Sequence, residues 1–247
     1  YVDGNGRIVT TGTKGGRVEV LGERVALADS ASIDASGTGG GGKILIGGDY
    51  QGGNPEVGNA RISYVGAQAS LKADATEVGA GGTVIVWADD TTRVHGGISA
   101  RGGANGGNGG FVETSGKRHL DVTGARIDTS AGNGSVGSWL LDPTDIDIHG
   151  GAGTTTGLDM FGVPTAATAT VYAADINANL VTTDVLLSTA SAYGGIGNIT
   201  VHGDVGISNT SGLARSSAAS RGSRGARTFP RRAVRSVTTR TRRRGCR

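Results

Sequence analysis

A double glycine followed by a short strand of mostly branched residues recurs along this chain. It reads Gly15-Gly16-Arg17-Val18-Glu19-Val20, then Gly41-Gly42-Lys43-Ile44-Leu45-Ile46. It returns as Gly81-Gly82-Thr83-Val84-Ile85-Val86-Trp87 and as Gly109-Gly110-Phe111-Val112-Glu113-Thr114. A second phrase is interleaved: Ala31-Ser32-Ile33-Asp34-Ala35, Ala69-Ser70-Leu71-Lys72-Ala73, Gly97-Ile98-Ser99-Ala100 and Ala125-Arg126-Ile127-Asp128-Thr129. Val84 and Val112 lie 28 residues apart and Ile98 and Ile127 lie 29 apart, room for two or three short strands and their turns. Recurrence at this scale marks a stacked architecture in which each repeat packs on its neighbours. Antiparallel hairpins would favour two-residue Asn-Gly or Asp-Gly loops between matched strands, and Asn133-Gly134 has no recurring counterpart. The expectation is an all-β chain forming a right-handed parallel β-helix, a solenoid, with glycine supplying positive φ at its corners. About ten coils would give a rod of roughly 48 Å at ~4.8 Å per coil.

Composition narrows the core. Aliphatic residues dominate a hydrophobic fraction of 36%, while aromatics are only 4%. Small side chains stacked on copies of themselves suit that balance better than a globule built around large rings. The 47 glycines do not fall at every third position, which excludes collagen. Cys246 is the single cysteine and forms no internal disulfide. No stretch approaches the ~20 apolar residues of a membrane-spanning helix. The opening at Tyr1, inside a repeat and without a basic-then-apolar leader, is expected of an interior fragment.

Strands are predicted near 7–10, 16–21, 24–28, 43–47, 61–65, 83–87, 94–99, 111–115, 119–123 and 125–128. Others are predicted near 135–141, 145–149, 169–173, 180–187 and 198–202. No sustained 3.6-residue period is present, so helix content is expected near zero. Residues 1–205 form the expected shaft, with polar loops at 50–60 and 101–110 projecting as mobile excursions. Charge separates the two ends. Residues 1–212 carry 12 Lys+Arg against 21 Asp+Glu, a balance of −9, whereas residues 213–247 carry 12 Arg and no acid. Residues 206–247 are expected to be a disordered Arg-rich tail. That tail is either a cationic arm for polyanions or the product of a reading-frame shift, and the abrupt change of idiom favours the shift.

Longer phrases point to a family. Gly47-Gly48-Asp49-Tyr50-Gln51-Gly52, Val86-Trp87-Ala88-Asp89-Asp90-Thr91-Thr92, Ile98-Ser99-Ala100-Arg101-Gly102-Gly103, Gly109-Gly110-Phe111-Val112-Glu113-Thr114-Ser115-Gly116 and Leu140-Leu141-Asp142-Pro143-Thr144-Asp145-Ile146 occur in that order. Over about residues 1–205 the chain resembles filamentous-haemagglutinin-like exoproteins of two-partner secretion systems. The resemblance implies a long right-handed β-helix exported through an outer-membrane β-barrel transporter to the surface of a Gram-negative bacterium, or released. The transporter would engage an upstream module that this segment lacks.

Candidate chemistry is sparse. Asp145 and Asp147 would share one strand face, but Ile146 and Ile148 between them describe a half-buried strand with its acids in water. Asp89-Asp90 is expected as a turn whose side chains bond nearby amides. His95, His119, His149 and His202 are scattered and are expected as surface strand residues. The glycine-rich 101–110 loop lacks the Lys-Ser/Thr and helix of a phosphate loop. Trp87 and Trp139 are expected to cover an edge of the rod, and Lys117-Arg118-His119 is a small basic cluster. No catalytic, cofactor or metal set is therefore expected. The chain is expected to be a non-enzymatic shaft segment of a secreted or surface adhesin with an unidentified host glycan or surface receptor, and no nucleic-acid partner. The alternatives are a polysaccharide-processing β-helix enzyme or a stalk carrying a distal toxin.

Overall fold

A computed structural model describes residues 6–153, 168–190, 196–208 and 237–242. The repeated phrases become short strands that visit three parallel sheets in turn. The first circuits comprise β1 (Arg7–Val9), β2 (Arg17–Val20), β3 (Arg24–Leu27), β4 (Ser32–Asp34), β5 (Lys43–Ile46), β6 (Ile62–Val65) and β7 (Ser70–Lys72). The next comprise β8 (Thr83–Ala88), β9 (Thr91–Val94), β10 (Gly97–Ser99), β11 (Phe111–Gly116), β12 (His119–Asp121) and β13 (Arg126–Asp128). After them come β14 (Ser138–Leu141), β15 (Asp145–His149), β16 (Thr168–Tyr172), helix α1 (Ala173–Asn179), β17 (Asp184–Ala190), β18 (Ile199–His202) and β19 (Val237–Arg242).

Through β14 every third strand pairs, and β16-β15-β18 form a fourth, separate sheet. The double-glycine strands β2, β5, β8 and β11 lie in the sheet β19-β17-β14-β11-β8-β5-β2, the second-phrase strands β4, β7, β10 and β13 lie with β1 in β1-β4-β7-β10-β13, and the intervening strands form β12-β9-β6-β3. All these ladders are parallel, and Val84 faces Val112 while Ile98 faces Ile127, the pairs that the spacing brings together. The chain is thus a mostly β protein of parallel sheets. Among the described residues its longest ladder has seven strands, about 29 Å at ~4.8 Å per strand, shorter than the ten coils expected. The difference lies in long connections, such as residues 47–61 between β5 and β6, that lengthen individual circuits.

Apolar columns run through the interior. Val18, Ile44, Val84, Val112, Trp139 and Val185 stand in register in one column, and Ile33, Leu71, Ile98 and Ile127 in another. All are buried and belong to one continuous core. Trp139 therefore lies within the core rather than over an edge, with its indole N–H donating to Thr114 Oγ1 at 2.9 Å. Where hydroxyl residues enter the interior they bind backbone carbonyls: Ser63 Oγ donates to Trp87 O and Thr92 Oγ donates to Ser115 O, both at 2.7 Å.

The double glycines have a reason other than positive φ. None of the eight glycines in the four pairs has a positive φ. Instead, a Cβ at Gly42, Gly82, Gly110 or Gly137 would sit 1.9–2.1 Å from the carbonyl oxygen of Gly16, Gly42, Gly82 or Gly110, respectively. A Cβ on the first glycine of each pair would strike the carbonyl of Ala35, Ala73, Ala100 or Thr129 in the next circuit at 1.8–2.1 Å. Those same carbonyls accept the turn-closing bonds Gly42 N to Ala35 O, Gly82 N to Ala73 O, Gly110 N to Ala100 O and Gly137 N to Thr129 O. Except at Gly16, whose Cβ would first meet the Thr10 side chain at 2.8 Å, these positions are closed to any side chain because backbone occupies the space.

Several elements depart from the reading of the sequence. The strand expected at 94–99 is two strands, β9 and β10, broken at Gly96, where a Cβ would meet Ala69 O and Gly66 O at 2.5 Å. The strand expected at 180–187 is β17, which starts four residues later, and α1 lies between it and β16. Ala173, Ile176, Asn179 and Leu180 are buried at helical spacing, a period too short to stand out from the surrounding strands. The helix also lies where a further strand would stack on β13. Asn179 acts as a substitute ladder there: its Oδ1 accepts from Ile127 N at 2.6 Å and its Nδ2 donates to Ala125 O at 3.0 Å. Thr182 Oγ1 donates to Ile127 O at 2.9 Å. Val237–Arg242 falls in the tail expected to be disordered, and it forms β19 parallel to β17, because Val237-Thr238-Thr239 is a β-branched run amid the arginines.

Neither loop projects freely. Residues 47–60 lie on the outer face of the double-glycine sheet, where Val57, Leu45, Ile85 and Trp87 form a second apolar cluster with Phe111. Trp87 is buried under Gly48 and Gly52 of this loop, not placed at an edge. The 101–110 loop is stacked between neighbouring turns through Gly79 N to Gly106 O, Gly103 N to Gly79 O and Asn105 N to Glu77 O. Arg101 anchors its start by binding the buried Asp74 carboxylate at 2.8 Å.

Two substitutions test this account. Gly110→Ala is expected to cost about 3 kcal/mol of stability or more by urea denaturation, whereas Gly97→Ala, whose Cβ meets nothing within 4 Å, is expected to be neutral. Asn179→Ala, which orphans Ile127 N and Ala125 O, is expected to cost about 1–3 kcal/mol and to unprotect the Ile127 amide in hydrogen exchange.

Candidate functional site

Three places where polar side chains gather among the described residues bear on function. The first is the turn between the double-glycine sheet and the β3-β6-β9-β12 sheet. Asp89 and Asp90 lie there, and their partners are mainly cations rather than the neighbouring amides expected. Lys117 Nζ pairs with Asp89, Arg118 Nη1 lies 3.5 Å from Asp90, and Arg61 Nη1 lies 3.6 Å from Asp90. Asn59 Nδ2 also donates to Asp89 Oδ1 at 3.2 Å. The basic cluster Lys117-Arg118-His119 is therefore not a free cationic patch. His119 is itself buried on β12; burial pushes its pKa down, opposed by the charge of Asp121. This corner pins successive circuits together and presents no unpaired carboxylate pair for acid–base chemistry.

The second place is the outer face of the double-glycine sheet, beneath the 47–60 loop. Glu113 interrupts the outward column Leu45, Ile85, Glu113, Leu140 and is completely buried. Asp49 holds the loop from the other side, accepting from Lys43 Nζ at 2.8 Å, Asn54 Nδ2 at 2.9 Å and Tyr50 N at 2.8 Å. Gln51, at φ 51°, turns its backbone N–H to the Glu113 carboxyl at 3.2 Å, and its side-chain amide donates to Asp142. Burial drives the Glu113 pKa up to about 8; the Gln51 N–H and Ser115 oppose this, and the charges of Asp142 and Asp49 add to it. A carboxyl with a raised pKa can be a general acid, but this one is sealed from substrate by the loop. It acts as a latch for residues 49–52. Nothing in the phrase Phe111-Val112-Glu113-Thr114 distinguishes it from an ordinary outward-facing strand acid.

The consequence is a pH dependence of definite sign. The folded pKa is raised, so the stabilising contribution of protonated Glu113 is full below the ordinary glutamate value near 4.5 and is lost as pH rises toward about 8. Glu113 is expected to lower the urea midpoint between pH 5 and pH 8, against an opposite contribution from His119, whose folded pKa is depressed. Glu113→Gln, which stays neutral, is expected to abolish the Glu113 contribution; an equal slope in both proteins would remove Glu113 as its source.

The third place is the outward face of β15 and its neighbours. The alternation at Asp145–His149 is as expected: Ile146 and Ile148 are buried, and Asp145, Asp147 and His149 are half-buried. Asp145 accepts from Asn198 N at 2.7 Å and Ile196 N at 3.2 Å, fixing the entry to β18. The sequence leaves His149 and His202 far apart, but β15 and β18 pair in parallel and put them opposite one another. Their rings stack with centroids 4.5 Å apart and planes 7° from parallel. His202 Nε2 lies 3.4 Å from Asp147 Oδ1. The intervening β16, α1 and β17 conceal this pairing from any reading by sequence spacing. His95 instead binds Thr123 O through Nδ1 at 2.8 Å.

A scan against protein-family models finds no match for this chain, and a search of curated proteins likewise finds none.

Proposed function

We propose that this chain is a structural shaft segment of a large secreted or surface-exposed bacterial adhesin of the filamentous-haemagglutinin type, its parallel sheets forming the walls of a right-handed parallel β-helix. The observation that carries this reading is the unbroken register of the double-glycine column through Gly16, Gly42, Gly82, Gly110 and Gly137. A surface built this way repeats the same backbone contact along an axis and converts chain length into reach. The phrases that resemble the haemagglutinin-like family lie on that framework. Gly47 to Gly52 form part of the outer cover, Trp87 is the residue it covers, and Leu140 to Thr144 lead from β14 into β15.

Polar groups that would suit catalysis are engaged in assembly: Asp89 and Asp90 in ion pairs, Asp145 on backbone amides, and Glu113 beneath its loop. This favours attachment over polysaccharide cleavage. In the proposed setting the chain crosses the outer membrane unfolded through its β-barrel transporter and stacks outside, and host-surface glycans or receptors are met along the exposed turns. One assay separates the two classes of function. Beads coated with the chain are expected to adhere to cultured host cells and to a subset of arrayed glycans above an albumin control, with no new reducing ends or unsaturated sugars released. Product release would replace the adhesin reading with an enzymatic one, and absence of both adhesion and product would overturn the attachment role for this segment.

A further inference from the structure

The β15–β18 face gathers three metal-ligating side chains that neither the proposed shaft role nor the apolar core requires. Asp147 and His149 are two residues apart on one strand and point the same way, because Ile146 and Ile148 take the inward positions. His202 arrives from β18 in register with His149. One donor atom from each of Asp147, His149 and His202 lies within 4.8 Å of the others. We propose that these three residues form a binding site for a divalent transition-metal ion, of which Zn²⁺, Ni²⁺ and Cu²⁺ are the chemically suited examples.

The donor set decides the class of ion. Two imidazole nitrogens and one carboxylate oxygen suit borderline transition metals, whereas Ca²⁺ and Mg²⁺ seek shells made largely of oxygen. The sheet supplies the preorganisation. Neighbouring strands hold His149 and His202 about one strand spacing apart (~4.8 Å), and Asp145 fixes the entry of β18 by binding the amides of Ile196 and Asn198. Tyr172, opposite His149 on β16, packs its ring 6.0 Å from the imidazole and limits its motion on the other side. Thr170 and Thr200 flank Asp147 on the two neighbouring strands.

Accessibility favours entry of an ion. The side chains of His202 and Asp147 are 44% and 32% exposed, so they can move without disturbing Ile146 or Ile148. Contraction is needed, since zinc–nitrogen bonds are about 2.0–2.1 Å, and the stacked rings must splay to aim their lone pairs at one point. Three protein donors leave at least one coordination position to water or to a donor from outside the chain.

The test uses the purified full chain titrated with ZnCl₂ or NiCl₂ alone by calorimetry, and with Cu²⁺ by electron paramagnetic resonance. The expected result is one ion per chain, no competition from excess Ca²⁺, and a Cu²⁺ spectrum with coupling to two imidazole nitrogens. His149→Ala and His202→Ala are each expected to weaken binding about tenfold or more and to leave one coupled nitrogen. Asp147→Asn is expected to weaken binding while keeping both nitrogens. His95→Ala, remote from the set, is expected to bind as the parent does. Far-UV circular dichroism of each variant, with His202→Gln as a second replacement, separates loss of ligand from loss of fold. Absence of binding by the parent chain, or unchanged affinity in His149→Ala and His202→Ala, would overturn the proposal.

Discussion

Parallel strands stacked in register leave a fixed, small distance between successive circuits of backbone, and the structure depends on how the chain meets that distance at its tightest corner. The corner is the double glycine. Its second member donates its N–H to a carbonyl of its own circuit, and its own carbonyl accepts from the first strand residue of the next, as in Lys43 N to Gly16 O and Thr83 N to Gly42 O. A side chain at either glycine would push those partners apart and lengthen the step for every strand in register with it. The aliphatic columns of Val18, Ile44, Val84 and Val112 can touch only because that step is kept. Corner and core are therefore one cooperative device, as expected where stability is passed between nearest neighbours.

The outside of the framework is not simply a hydrated surface. One wall carries an apolar strip of Leu45, Ile85 and Trp87, and residues 47–60 cover it with Asp49 and Gln51 as the fastenings. At the next corner, Arg61, Asp89, Asp90, Lys117 and Arg118 form an ion-pair network spanning several circuits. Isolated exposed pairs contribute little, but pairs that join successive circuits oppose local fraying of the turns they connect. The polar groups thus hold excursions to the framework, and the carboxylates that look most chemical in the sequence are consumed in doing so.

The repeating part of the fold was legible because its determinants are local and periodic. The 28- and 29-residue spacings identify partners that the register confirms, and the alternation at Asp145 to His149 describes a half-buried strand correctly. The glycines were legible as necessary, but for a reason that single-residue conformational preference does not contain: the obstructing atom belongs to a different circuit. Helix α1 was hidden because two turns of apolar period cannot be told from irregular alternation. The burial of Trp87 and Glu113 was hidden because it depends on a loop that lies next to them only after folding. His149 and His202 meet because β16, α1 and β17 are inserted between their strands, and no spacing rule anticipates the length of an insertion.

The helix that stands on β13 occupies the edge of that sheet. A bare parallel edge offers alternating donors and acceptors to any passing strand and is the usual starting point for aggregation. At β13 those groups are already claimed by Asn179 and Thr182, while the neighbouring wall runs on through β14 and β17. A foreign segment arriving there meets a plugged template. Continuation is confined to the walls still open, so this side-chain plug guards the stack against self-association at that edge.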